Sequence, residues 1–144
     1  MTEQVAIDIE LSSTHWGNRC PGARVYINHT LIFENLIAEP TKISWQGTTQ
    51  ERNKITVEMY NKNPGDTETD DSGAIVNDVV LNINGVAIDE IELDNLLWTN
   101  SIYYPNAGED GAPESMKECV NLGWNGRWEL EFDSPIYLWL LENL

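Results

Sequence analysis

Positively charged residues are scarce in this sequence. Only 8 Lys and Arg residues stand against 24 Asp and Glu, which gives a formal net charge of −16. Residues 63–114 contain twelve acidic residues and no Lys or Arg. Such a chain is repelled by phosphate backbones and by anionic lipid headgroups. The composition therefore argues against nucleic acid and membrane surfaces as partners and favours cationic ligands.

Cysteines and long apolar runs are equally scarce. Cys20 and Cys119 are too few for a disulfide framework, and we expect two free thiols, although the sequence alone leaves a bridge open. No run approaches the roughly 18 apolar residues that a membrane span requires. The start, "MTEQVAIDIELSS", has neither the basic segment nor the apolar core of a signal peptide. We expect a chain without an export signal or a transmembrane segment.

Catalytic motifs are missing as well. Two histidines and two cysteines make zinc chemistry improbable, and the sequence has no H-E-x-x-H, no glycine-rich phosphate loop and no G-x-S-x-G. A pair of glycosidase carboxylates stays open, because distance along the sequence does not give the separation of two carboxylates in space. We expect a binding or structural protein rather than an enzyme.

Alternating apolar and polar residues dominate what is present. In "EQVAIDIELSS", the residues Val5, Ile7, Ile9 and Leu11 have the period of a half-buried strand, and similar stretches recur along the chain. Residues 96–105, "LLWTNSIYYP", are also interpreted as a strand. In the earlier stretch "VVLNINGVAIDEIELD", Gly85 is expected to mark a bulge or bend. The end, "PIYLWLLENL", fits a last strand or one short helix. The pattern predicts one domain over residues 1–144, an antiparallel β-sandwich of jelly-roll or immunoglobulin-like type with eight to nine strands.

The stretch "YNKNPGDTETDDSG", residues 60–73, is the candidate ion site. Its clustered carboxylates repel one another unless solvent or a hard cation screens them, and calcium takes six to eight oxygen ligands from such loops. The spacing is not that of an EF-hand, because Asn77 stands where the twelfth position requires a bidentate Glu. Calcium binding and a solvated hairpin closed by Pro-Gly and Ser-Gly turns remain the two interpretations.

Residues 54–89, "KITVEMYNKNPGDTETDDSGAIVNDVVLNINGVAID", resemble part of calcium-dependent xylan-binding modules. Those modules are β-sandwiches that hold calcium in this loop and use it to grip sugar hydroxyls. The resemblance implies a Ca²⁺ cofactor, a polysaccharide partner and five metal ligands: Asn61, Asp66, Asp70, Asp71 and Asp78. The sequence departs from the pattern at Lys62, where an Asp is expected after Asn61.

The "NK" turn, the "DT" step, "IVND" and the closing "WLL" are also similar to small structural proteins of tailed bacteriophages. Those proteins use carbohydrate-module-like sandwiches for capsid decoration, tails and fibres. This resemblance implies a virion structural or accessory protein that assembles in the host cytoplasm and contacts itself or other virion proteins. It is the leading functional hypothesis from sequence, and a soluble calcium-dependent carbohydrate-binding module is the alternative.

Aromatic residues separate the two hypotheses, because sugar-binding surfaces need exposed flat rings. Trp128, Leu130 and Phe132 share one face of "RWELEF" and are predicted core residues, as is Trp139. Five others lie at strand ends or in loops, where a ligand platform or a protein interface could use them: Trp16, Trp98, Tyr103, Tyr104 and Trp124. Trp124, in "LGWNGRW", is the best single candidate for an exposed ring.

Overall fold

The computed structural model describes residues 2–143, whose regular structure consists mainly of antiparallel strands. In chain order the strands are β1 (Gln4–Thr14), β2 (Gly22–Ile27), β3 (Thr30–Leu36), β4 (Thr41–Thr48), β5 (Arg52–Tyr60), β6 (Glu68–Thr69), β7 (Ile75–Asn77), β8 (Val80–Ile88), β9 (Ile91–Glu92), β10 (Ser101–Pro105), β11 (Met116–Lys117), β12 (Asn121–Leu122) and β13 (Gly126–Asp133). The two helices are α1 (Asn95–Thr99) and α2 (Ile136–Asn143).

Two sheets form the body of the fold. The first has the order β12-β8-β1-β4, with β9 also paired to β8, and the second has the order β11-β10-β13-β5-β2-β3. Strands β6 and β7 make a separate two-stranded hairpin. The predicted antiparallel β-sandwich is confirmed, but the described residues contain thirteen strands instead of eight or nine. The difference comes from two- and three-residue ladders, which are too short to leave a periodic signal in the sequence.

The core lies where alternation predicted it. In β1, the residues Val5, Ile7, Ile9 and Leu11 are all buried, and the inward faces of β5 and β13 join them in one hydrophobic cluster. The core assignments of Trp128, Leu130, Phe132 and Trp139 are confirmed, with exposures of at most 6%. The rings of Phe132 and Trp139 meet edge to face with centroids 6.2 Å apart. Burial of these side chains is the main stabilising term of the fold.

Two stretches differ from a plain strand pattern. The strand predicted over residues 96–105 is wrong in its first half, because α1 occupies that part and buries Leu96 and Leu97 through one helical turn. For the end of the chain the sequence left a strand or a short helix open, and the structure has the helix α2 there. Ile136 and Trp139 lie three residues apart on one face of α2, and both are buried in the core. None of the helices within residues 2–143 is long and apolar enough to cross a membrane.

The expected bulge at Gly85 is present. Glu10 pairs with Gly85 and the next residue, Leu11, pairs with Ile83, so Asn84 is the extra residue on β8. A two-residue turn with positive φ at Asp89 and Glu90 then joins β8 to β9, a hairpin that the sequence interpretation missed. Residues 83–84 of β8 and several residues of the segment 94–98 line the same open cleft.

Candidate functional site

The acidic loop is organised by its own hairpin. Strands β6 and β7 pair within it, and the tip closes through the Gly73 N–H, which donates to the Asp70 carbonyl at 3.0 Å. The Asp70 carboxylate accepts from the Ser72 hydroxyl at 2.6 Å and from the backbone N–H groups of Ser72 and Ala74 at 2.9 and 3.0 Å. These hydrogen bonds, led by that of the Ser72 hydroxyl, lower the pKa of Asp70. Asp70 is thus committed to the turn, while Asp71 faces solvent.

Asp66 is buried at the base of the loop, where it contacts Asn63, Arg19 and Trp16. One carboxylate oxygen accepts from the Asn63 N–H at 2.8 Å, and the other lies 3.5 Å from the guanidinium of Arg19. The Asp66 carbonyl accepts from the indole N–H of Trp16 at 3.1 Å. Arg19 also lies over the Trp16 ring, 4.7 Å from its centroid. Asp66 therefore ties the loop to the turn before β2.

Asp78 forms the innermost ion pair of the loop. Its Oδ1 accepts from the Lys62 ammonium at 2.7 Å, from the Thr67 hydroxyl at 2.7 Å and from the Val79 N–H at 2.8 Å. Burial alone would raise the pKa of Asp78, but hydrogen bonds from Lys62, Thr67 and Val79 outweigh it and hold the pKa below its ordinary value. The Lys62 ammonium also donates to the Gly123 carbonyl at 2.6 Å.

The structure does not bring the five predicted calcium ligands together. Asn61 uses its side-chain amide to donate to the Cys20 carbonyl at 3.1 Å, and Asp66, Asp70 and Asp78 each have the protein partners described above. Within residues 2–143 no three Asp, Glu, His or Cys side chains are close enough to hold a metal ion together. The donor set that the resemblance implies therefore does not fit calcium in this arrangement. Asp66, Asp70 and Asp78 accept hydrogen bonds from donors of the protein instead, and Asp71 faces solvent.

Four of the five candidate aromatics are held by the protein itself. Trp16 and Trp124 donate their indole N–H groups to the carbonyls of Asp66 and Asp110, both at 3.1 Å, and both rings are half-buried. The guanidinium of Arg127 covers the Tyr104 ring, 4.5 Å from its centroid. These contacts favour a structural role for the three rings.

Tyr103 corrects the sequence interpretation most clearly. Its side chain is 0% exposed, because β10 points it into the core. The hydroxyl donates to the Trp124 carbonyl and accepts from the Trp124 N–H, which is 2.9 Å away. Burial raises the pKa of Tyr103, so the phenol stays protonated as a donor. A ring in this position is not available to a ligand.

Trp98 differs from the other four aromatics. It is 43% exposed on α1, and within residues 2–143 its indole N–H has no hydrogen-bond partner and no cation covers its ring. It borders an open cleft of about 410 Å³. The cleft is lined by Ile83, Asn84, Asp94, Asn95, Leu97, Trp98 and Val120. Apolar side chains, an exposed aromatic ring and several polar side chains therefore line it together, which is the composition typical of small-molecule sites.

The polar side chains of this cleft retain hydrogen-bonding capacity. Within the described part of the chain, the side chains of Asp94 and Asn95 have no hydrogen-bond partner, and Asn84 uses its amide nitrogen on the Ser12 hydroxyl at 2.7 Å. Asp94 adopts a φ of 47° and a ψ of −118°, which is a strained conformation for a residue with a side chain. Strain of this kind concentrates at functional sites. The sequence interpretation included Trp98 but missed Asn84, Asp94 and Asn95.

No protein-family model matches the chain, and no curated protein gives a significant match. The chain is similar to a solved structure of vCBM60 in complex with galactobiose, with 10% identity and a TM-score of 0.52 over 87% of this chain and 96% of that one. It is also similar to the selenomethionine form of vCBM60, described as a link by circular permutation between two families of calcium-dependent carbohydrate binding modules. There the identity is 10% and the TM-score 0.54, over 88% of this chain and 89% of that one. The likeness establishes the fold, which is a carbohydrate-binding-module type of β-sandwich.

Proposed function

We propose that this protein is a non-enzymatic carbohydrate-binding module, folded as one domain, that binds a saccharide in the cleft beside Trp98. The observation that carries the proposal is the uncommitted indole of Trp98, because the other four candidate rings are held by backbone, core or guanidinium contacts. The sandwich fold and the galactobiose bound to vCBM60 support a saccharide as the ligand class.

The chemistry of the cleft suits a sugar. One face of a pyranose presents C–H groups that pack on an aromatic ring, and its edge presents hydroxyls that both donate and accept. Trp98 offers the ring, the Asp94 carboxylate accepts, and the Asn95 carboxamide does both. A volume of about 410 Å³ is within the usual range of ligand pockets. The cleft is open to solvent, which favours part of a chain over an enclosed monosaccharide.

Two further hypotheses from sequence concern calcium and a role in a virion. The vCBM60 selenomethionine structure is linked to calcium-dependent carbohydrate binding modules, and calcium therefore stays a candidate cofactor for the fold, although the acidic loop here does not assemble the predicted ligands. The virion role, with its partners and location, has no support from either solved structure and stays a hypothesis. Self-association also stays a prediction, which size-exclusion chromatography of the purified chain tests.

The test is polysaccharide binding by wild type, Trp98→Ala and Tyr137→Ala. Tyr137 is 59% exposed on α2 and does not line the cleft, so Tyr137→Ala is a control that removes an exposed aromatic ring elsewhere. We expect wild type and Tyr137→Ala to be retarded in gels containing a galactan or xylan. Trp98→Ala should bind at least about tenfold more weakly, since truncating a central aromatic contact costs about 2 kcal/mol or more and each 1.4 kcal/mol is a factor of about ten.

The outcomes separate the function from its location. A wild-type protein that binds nothing on a broad glycan array would contradict the function itself. Binding by wild type that Trp98→Ala leaves unchanged would retain the function and reject the cleft. Thermal melts of both variants should stay close to wild type, because substitutions at exposed positions usually change stability by less than about 0.5 kcal/mol.

A further inference from the structure

The Lys62 ammonium occupies the centre of the oxygen-rich base of the acidic loop. It bridges Asp78, just before β8, and the Gly123 carbonyl, just before β13, at 2.7 and 2.6 Å. Its side chain is only 12% exposed, and that of Asp78 only 20%. A lysine this well covered is unusual unless its charge is paired. The ammonium therefore joins three separate segments of the chain at one point.

The oxygen atoms around this point are those that hard cations use. They comprise a carboxylate oxygen of Asp78, the Gly123 carbonyl and, hydrogen-bonded to the same carboxylate oxygen, the hydroxyl of Thr67. Carboxylates, carbonyls and hydroxyls are hard oxygen donors of the kind that calcium selects. In this protein the positive charge beside these oxygen atoms is the ammonium group of Lys62.

The backbone of Lys62 is fixed as firmly as its side chain. The Lys62 N–H donates to Asn125 Oδ1 at 3.0 Å, and Asn125 Nδ2 donates back to the Lys62 carbonyl at 2.7 Å. This reciprocal pair sets the direction in which the lysine leaves the end of β5. The fixed backbone of Lys62 therefore helps to place its ammonium beside Asp78.

Two of the remaining carboxylates of the loop, those of Asp66 and Asp70, already have partners in the protein. Asp66 caps the Asn63 N–H and pairs with Arg19, and Asp70 holds the tip of the hairpin. A calcium ion requires six to eight oxygen ligands. It would have to displace the ammonium and break these local arrangements to collect them.

We propose that the Lys62 ammonium takes the place of a bound metal ion in the acidic loop, so that the loop folds without calcium. One fixed positive charge neutralises Asp78 and links the loop to the segments before β8 and β13. The proposal does not depend on the saccharide function, because it concerns how the loop is held and not what the cleft binds.

Calcium titration of the wild-type protein is the first test. A ligand that binds only the folded state at about 100 times its dissociation constant stabilises a protein enough to raise its melting temperature by several degrees. We expect melting curves in EDTA and in millimolar calcium to coincide. A melting temperature that rises by several degrees with calcium, and falls again with EDTA, would overturn the proposal.

The second test compares Lys62→Gln with Lys117→Gln. Both remove one positive charge, but Lys117 is exposed on β11. We expect Lys62→Gln to lower the melting temperature by more than about 5 °C in EDTA, because Asp78 loses its partner in a covered position. Lys117→Gln should have the same melting temperature as wild type. Equal melting temperatures for the two variants would overturn the proposal.

The third test creates a calcium requirement. In Lys62→Asp a shorter, negatively charged side chain replaces the ammonium that neutralises Asp78, and a calcium ion between the two carboxylates would relieve their repulsion. We expect its melting temperature to rise by several degrees in calcium, with no rise for Lys117→Asp. A folded Lys62→Asp variant whose melting temperature does not change with calcium would contradict the claim that the ammonium stands in the place of a metal. If this variant fails to fold under either condition, the other two tests decide.

Discussion

The hydroxyl of Tyr103 is a structural link between β10 and residues 123–125, and its removal gives a sharp prediction. Tyr103→Phe keeps the buried ring and deletes one oxygen atom. That oxygen donates to the Trp124 carbonyl and accepts from the Trp124 N–H. The substitution leaves both backbone groups without their partner in a half-buried position. The same segment supplies Gly123 and Asn125 to Lys62, so the link also supports the base of the acidic loop.

The size of the effect follows from the two lost hydrogen bonds. A buried donor or acceptor left without a partner costs about 1–3 kcal/mol, and the half-burial of Trp124 places each group at the low end of that range. We expect the free energy of unfolding to fall by about 2 kcal/mol. For a domain of this size each kcal/mol lowers the melting temperature by about 3 °C, so the expected shift is about 6 °C.

Urea and thermal unfolding followed by circular dichroism measure this difference. Tyr137→Phe is the control, because it removes the same atom from a tyrosine that is 59% exposed and whose hydroxyl has no protein partner within residues 2–143. We expect the control to match wild type. A change below about 0.5 kcal/mol for Tyr103→Phe would refute the reasoning, since it would mean that water satisfies the Trp124 backbone as well as the phenol does.

The sandwich was predictable because its long strands are half-buried. In β1, every second residue meets the core, and the sequence records that period directly. The two-residue ladders β9, β11 and β12 leave no such record, because hydrogen bonds to a longer neighbour define them rather than a buried face. The helical turn of α1 was missed for a related reason: five residues are too few to show a helical period.

The exposure of the aromatics was not predictable from position in a loop or at a strand end. Whether an indole lies free depends on whether a backbone carbonyl is within reach, and the carbonyls that hold Trp16 and Trp124 come from Asp66 and Asp110, 50 and 14 residues away in sequence. Tyr103 was misread because one residue of strand register decides between core and solvent. Its neighbour Tyr104 has the opposite orientation.

The acidic loop shows why a cluster in sequence is not a cluster in space. Asp70 and Asp71 are adjacent, yet one holds a turn and the other faces solvent. Turn-forming residues let the local backbone and the Ser72 hydroxyl satisfy the Asp70 carboxylate without a cation. The Trp98 cleft is the converse case. Its walls come from β8, from the segment around α1 and from Val120, so no single stretch of sequence contains it.

Two further predictions test the core and the loop. Trp128→Ala should lower the free energy of unfolding by about 3–5 kcal/mol in urea, because the ring is 0% exposed, and a loss below about 1 kcal/mol would contradict the core assignment. Asp78 predicts a pH dependence. Its pKa is lowered in the folded protein, so its ionised form stabilises the fold above the unfolded value of about 3.9, and this contribution is lost as the pH falls through the folded pKa. The difference in free energy of unfolding between wild type and Asp78→Asn should therefore be largest near neutral pH and shrink below about pH 4. Urea titrations at a series of pH values measure it, with the exposed Asp71→Asn as control. A difference that grows toward acid pH would mean that the protonated form of Asp78 is the one that the fold prefers, and the ion pair with Lys62 would then not be what stabilises this end of the loop.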